Sequence, residues 1–125
     1  MIIIDYSDKR PIYEQIAERF QTLIISGVME ADEKLPSVRS LAVELSINPN
    51  TIQRAYTELE RDGFIYTVKG KGNFVKKDER LLEKLKERLL DELKQQLKVC
   101  LRYGIAKGEL SKVVKKVFGE EAGHD

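Results

Sequence analysis

The stretch SVRSLAVELSINPNTIQRAYTELERDG, residues 37–63, decides the fold. Ser37 suits an N-cap, and Val38, Leu41, Ala42 and Leu45 recur at the spacing of one helical face. After Ser46 and Ile47, Asn48 is a second N-cap, and Pro49 takes the next position, where its missing N–H costs nothing. Ile52, Ala55, Tyr56 and Leu59 then mark one buried face, and Gly63 closes the helix after Asp62. Two short helices joined by about three residues read as a helix-turn-helix. Any helical hairpin shares that apolar pattern, so the next twelve residues matter. They are FIYTVKGKGNFV, residues 64–75: β-formers from Phe64 to Val68, a break at Lys69–Gly72, and β-formers again to Val75. This predicts a β-hairpin with a basic, glycine-bearing tip. Gly70 and Gly72 do not open a phosphate-binding loop, because no third glycine follows at the required spacing and no helix starts there. A helix-turn-helix running straight into a hairpin is a winged helix, within an α+β, mostly helical fold.

Working outward, Pro11 and the series Ile12, Ile16, Phe20, Leu23 and Ile24 predict a first helix ending at Gly27, its stripe widened by Tyr13 and Ala17. Met1–Ile4 is a short β-branched run expected to add an edge strand, and Glu30–Lys34 is expected as a polar loop. Beyond the hairpin, Glu79–Arg102 is predicted as one long amphipathic helix with a stripe of Leu82, Leu85, Leu89, Leu93, Leu97 and Leu101. Tyr103 and Gly104 end it. A last helix, Glu109–Phe118, is expected to bury Leu110, Val113, Val114 and Val117, with Gly119–Asp125 frayed. Two helices are too few for an independent core, so a stripe this long must bury against something.

Composition agrees with a globular chain. Of 125 residues, 42% are apolar and 34% charged, enough for a core and against disorder of the whole chain. The apolar runs fall far short of the ~20 residues that span a bilayer. The opening residues lack a basic n-region and meet Asp5 at once, so no signal peptide is expected. Cys100 is alone, which fits a reducing cytoplasm and a small semi-buried apolar role. With one further candidate ligand, His124 near the end, no metal site is expected, and no constellation of catalytic residues is visible. The net charge of +1 divides unevenly: −4 over residues 1–33, +4 over 34–77 and +1 over 78–125. A basic middle third points to a surface that meets a polyanion.

These motifs also carry a family resemblance. PIYEQI (11–16), LPSVRSLA (35–42), NPNTIQRAY (48–56), LERDGFI (59–65) and the wing KGKGNFV (69–75) resemble the GntR family of bacterial transcription regulators, in order and at the right spacing over roughly residues 9–77. The short two-helix tail resembles the YtrA-like subfamily. Many other branches of the family open the recognition helix with an arginine where this chain has Pro49, so no such contact is carried over.

The resemblance implies a sequence-specific DNA-binding regulator, usually a repressor, that binds double-stranded operator DNA as a homodimer on an inverted repeat. Residues 1–77 are then the winged helix-turn-helix DNA-binding domain and 78–125 a helical dimerisation region. It implies DNA contacts from Ser37 and Arg39, from Asn50, Thr51, Gln53 and Arg54 on the recognition helix, and from Lys69, Gly70 and Lys71 in the wing. Amides and guanidinium groups are what base edges in the major groove require, and Thr57 continues the same helical face. The dimer interface is expected from Leu82, Leu85, Leu89, Leu93, Leu97, Leu101, Val113 and Val117. No cofactor, no enzymatic activity and no membrane are expected, and the location is cytoplasmic. An effector ligand, if the regulator answers to one, is a small molecule at the helix interface or a partner protein. Two rivals stand beside this reading. One is a winged helix used for protein–protein contact alone, which an acidic or apolar recognition face would favour. The other is the head of a larger aminotransferase-like regulator, against which the short helical, charged tail argues.

Overall fold

The computed structural model describes residues 2–122. Its elements are α1 (Ile12–Ile25), α2 (Val38–Leu45), α3 (Pro49–Arg61), β1 (Ile65–Val68), β2 (Gly72–Val75), α4 (Leu81–Arg102) and α5 (Lys107–Ala122). The fold is mostly helical α+β, and the chain divides into two compact units, Met1–Leu82 and Glu83–Asp125.

In the first unit local signals set the boundaries. The Ser37 hydroxyl accepts from the Ser40 N–H at the start of α2, and the Asn48 carboxamide oxygen accepts from the Asn50 N–H at the start of α3. Gly63 closes α3 at φ +85°, with its own N–H on the Glu60 carbonyl and the Phe64 N–H on that of Leu59. This double closure needs a left-handed residue at that point. Ser46 makes the corresponding closure of α2 at φ +55°. The core is built from Ile16 and Phe20 of α1, Leu41 of α2, and Ile52, Ala55, Tyr56 and Leu59 of α3, floored by Leu35, Phe64, Ile65 and Val75. Phe20 and Tyr56 meet edge to face, 5.6 Å between centroids at 82°.

β1 and β2 pair antiparallel with Ile65 opposite Val75 and Val68 opposite Gly72. The other edge of β2 is taken by the segment expected as a polar loop. Asp32 N–H donates to the Val75 carbonyl, Val75 N–H to that of Glu33, and Leu35 N–H to that of Asn73, with a bridge between Lys34 and Phe74. With that edge occupied, residues 2–4 form no strand; Ile2 is buried and Ile3 exposed. Met1 of that expected strand lies outside the described residues. The loop that follows is tied to α1 by Gln15, a buried polar side chain. Its carboxamide accepts from the Asp5 N–H at 3.0 Å and donates to the Asp5 and Arg10 carbonyls.

Helix α4, whose first two residues belong to the first unit and the rest to the second, starts at Leu81 rather than Glu79, because the Asp78 carboxylate captures the Arg80 N–H and its carbonyl the Leu81 N–H. It ends at Arg102 and is closed by Gly104, φ +76°, with the Ile105 N–H on the Cys100 carbonyl. Helix α5 outruns its expected span at both ends, and Gly119 lies within it. An exposed glycine costs a helix only about 1 kcal/mol. The expected burial of α5 does not occur within one chain: Val113, Val114 and Val117 are exposed and Leu110 is half-buried. Cys100 is half-buried. The end of the expected frayed tail, with His124, lies outside the described residues. Among the described residues no helix is long and apolar enough to cross a membrane, and no His, Cys, Asp or Glu group is arranged to hold a metal.

Candidate nucleic-acid interface

Helix α3 separates its residues cleanly by face. Ile52, Ala55, Tyr56 and Leu59 are buried, while Asn50, Gln53, Arg54 and Thr57 are exposed and Thr51 half-buried. The exposed set follows the three-and-four spacing of a single helical face. The Gln53 carboxamide nitrogen donates to the Thr57 hydroxyl at 3.3 Å. Arg54 lies over the ring of Tyr13, its guanidinium carbon 3.8 Å from the ring centroid, and donates from Nη2 to the Tyr13 hydroxyl at 3.2 Å. Leu45 to Thr57 contains no acid. The exposed face and the positive end of the helix therefore present donors and positive charge together.

Ser37 and Arg39 stand exposed at the opening of α2. Because the Ser37 oxygen accepts the capping hydrogen bond from the Ser40 N–H, its hydroxyl proton is left to donate outward.

The hairpin presents the third set. Val68 to Lys71 make a turn closed by the Lys71 N–H on the Val68 carbonyl at 2.9 Å, with Gly70 at φ +80°. That is the position where a type II turn requires positive φ. The turn holds Lys69 and Lys71 out in solvent. Behind them Tyr66 and Phe74 stack across the strands at 5.5 Å, and the Thr67 hydroxyl donates to the Asn73 side chain at 2.8 Å. The Tyr66 hydroxyl donates to Asp32 at 2.8 Å, which raises its pKa above the ordinary phenol value. Gly63 to Lys77 carries four lysines and no acid. All nine expected DNA-contact residues thus lie in the first unit, on α2, α3 and the hairpin tip.

Three contributors escaped the sequence reading. Tyr13, counted there only as a widening of the core stripe, carries Arg54. Lys34 belongs to the sheet edge, and its side chain lies against Gly72, where an added Cβ would come within 2.9 Å of Lys34 Cε. Gln15 fastens the segment before α1. Only Gln15 left a signal, as a lone uncharged polar residue between the apolar positions of PIYEQI.

This geometry coincides with a known pattern. The family described as bacterial regulatory proteins of the gntR family matches residues 12–75, just over half of the chain.

The chain belongs to the GntR family.

Within that family it is YtrA-like. It is 45% identical over 80 residues to the HTH-type transcriptional repressor YtrA of Bacillus subtilis, spanning 64% of this chain and 62% of that protein. Among solved structures, it resembles a GntR family transcriptional regulator from Listeria monocytogenes at 42% identity and TM-score 0.64, covering 90% of this chain and 98% of that one. A transcriptional antiterminator from Listeria monocytogenes EGD-e aligns at 35% identity and TM-score 0.70, over 94% of this chain and 89% of that one. The DNA-binding domain of AraR, in complex with operator ORR3, aligns at 29% identity and TM-score 0.52, covering 58% and 88%. The chain thus carries the winged helix-turn-helix of a family of bacterial transcription regulators.

Proposed function

We propose that this GntR chain is a cytoplasmic, sequence-specific transcriptional repressor without catalytic activity, which binds an inverted-repeat operator as a homodimer. The observation that carries the DNA contact is the exposed, acid-free face of α3, bearing Asn50, Gln53 and Arg54, together with the exposed lysines of the hairpin turn. Carboxamide and guanidinium groups pair with base edges, Ser37 and Thr51 suit phosphates, and Lys69 and Lys71 supply backbone attraction in or near the minor groove. Arg39 adds a contact from α2. The operator complex of the similar AraR domain supports the same use of the fold.

Residues 1–77 read DNA in this proposal, and residues 78–125 couple two copies. The coupling rests on exposure: Leu89, Leu93, Leu97, Val113 and Val117 are each 40–59% exposed within one chain. Leu82 and Leu101 extend the same apolar series, with Leu85 half-buried. A row of large apolar side chains left exposed along one helix fits an interface. One winged helix reads too few base pairs to find a unique genomic site, so two must be coupled, with half-sites about one helical turn (~34 Å) apart.

Sequencing the genomic fragments enriched by the purified protein, followed by mobility shifts across a salt series, tests the reading. A recurrent inverted repeat bound far more tightly than competitor DNA is expected. Uniform binding to all fragments, or none, refutes it.

A further inference from the structure

Tyr13 is the second residue of α1 and only half-buried; Ile16, Ala17 and Phe20 fill the core from that helix. Its ring and its hydroxyl nevertheless both engage Arg54, 41 positions away on another helix. The two contacts restrain different motions. The contact at 3.8 Å holds the guanidinium against the ring face, and the Nη2 hydrogen bond at 3.2 Å directs one of its edges to the hydroxyl. An arginine side chain carries large rotamer freedom, most of which a specific contact must remove. Tyr13 removes part of it before any ligand arrives. Arg54 stays exposed while so held, and only one of its five N–H donors is spent on Tyr13. Glu58, one turn further along α3, is bonded to Arg61, and the Tyr13 hydroxyl that accepts from Arg54 donates in turn to the Glu14 carboxylate at 3.4 Å.

We infer that Tyr13 is a positioning residue for base recognition. It holds Arg54 in the orientation from which that side chain reads one base pair, so selectivity there depends on a residue outside the recognition helix. This rests on the reading of Arg54 as a base contact. Tyr13→Phe keeps the stacking surface and loses one hydrogen bond; Tyr13→Leu loses both.

The experiment uses the full-length protein, an operator duplex it selects from random-sequence DNA, and a panel in which each base pair of that duplex is replaced in turn. Arg54→Ala is expected to lower operator affinity about tenfold or more and to abolish preference at one base pair per half-site. Tyr13→Leu is expected to lower affinity about three- to tenfold and to flatten preference at that same base pair, with Tyr13→Phe closer to wild type. Adding Tyr13→Leu to Arg54→Ala is expected to cost nothing further. A uniform loss across the panel, or a full additional loss in the double variant, overturns the positioning role while Arg54 stands as a base contact. An unchanged base preference in Arg54→Ala overturns the base contact itself, and the positioning role with it. In the unsubstituted protein, the Arg54 Cδ protons are expected to show an upfield ring-current shift before DNA is added; ordinary shifts overturn the inference without any variant.

Discussion

The hydroxyl of Tyr56 donates to the carbonyl oxygen of Pro36 across 2.7 Å, joining the middle of α3 to the entry of α2. Burial pushes the Tyr56 phenol above its ordinary pKa, so it remains a protonated donor throughout the physiological range. The contact helps to fix the approach of the two helices, since Pro36 immediately precedes the Ser37 cap. Tyr56→Phe keeps the ring against Phe20 and removes only this bond. It is expected to destabilise the first unit by about 1 kcal/mol, read as a lower urea midpoint with an unchanged slope. An unaltered midpoint would show the bond to be exchanged for water at no cost.

Ser46 holds φ +55°, a left-handed conformation that a residue with a Cβ adopts at a cost. Glycine removes that cost and adds chain entropy to the unfolded state. Ser46→Gly is expected to stabilise the protein by about 0.5–1 kcal/mol without changing DNA affinity. Calorimetric melting checks it, and a lowered Tm would mean that the Ser46 side chain does more in the turn than its backbone requires.

Lys71 and Gln53 are expected to fail in different ways. Lys71→Ala weakens binding to all DNA alike and reduces the salt slope by about one unit, as loss of one phosphate contact does. Gln53→Ala costs about 1–3 kcal/mol on the operator and much less on competitor DNA. Titrations at several salt concentrations with both DNAs separate the two patterns; matching patterns would remove the distinction drawn between wing and helix.

The double substitution Leu93→Glu with Leu97→Glu places charge on the exposed apolar face of α4. Monomers in sedimentation at micromolar concentration are expected, with helical content retained and operator affinity strongly reduced. A chain ended after Leu82, which keeps the buried Leu81, is expected to be a folded monomer. A monomeric full-length protein would refute the homodimer directly.

The helix boundaries of the first unit were legible in the residues because their causes are local. Ser37, Asn48 with Pro49, and Gly63 each satisfy or release backbone groups within a few positions of themselves, and β1 and β2 are short runs interrupted by glycines. The exposed face of α3 follows from periodicity alone, since burying Ile52, Ala55 and Leu59 turns Asn50, Gln53 and Arg54 outward. The sheet edge at Asp32–Leu35 was not legible. It is held by backbone hydrogen bonds, and a polar run such as Glu33 and Lys34 carries no side-chain signature of where its backbone pairs. The hold of Tyr13 on Arg54, and of Tyr56 on Pro36, likewise joins residues 41 and 20 positions apart. Such contacts arise only when packing brings separate helices together, so no spacing within either helix announces them. An apolar stripe such as Leu89, Leu93 and Leu97 announces that something must cover it, because water is a poor neighbour for leucine. What covers it is a property of the assembled surface, not of the order of residues along one helix.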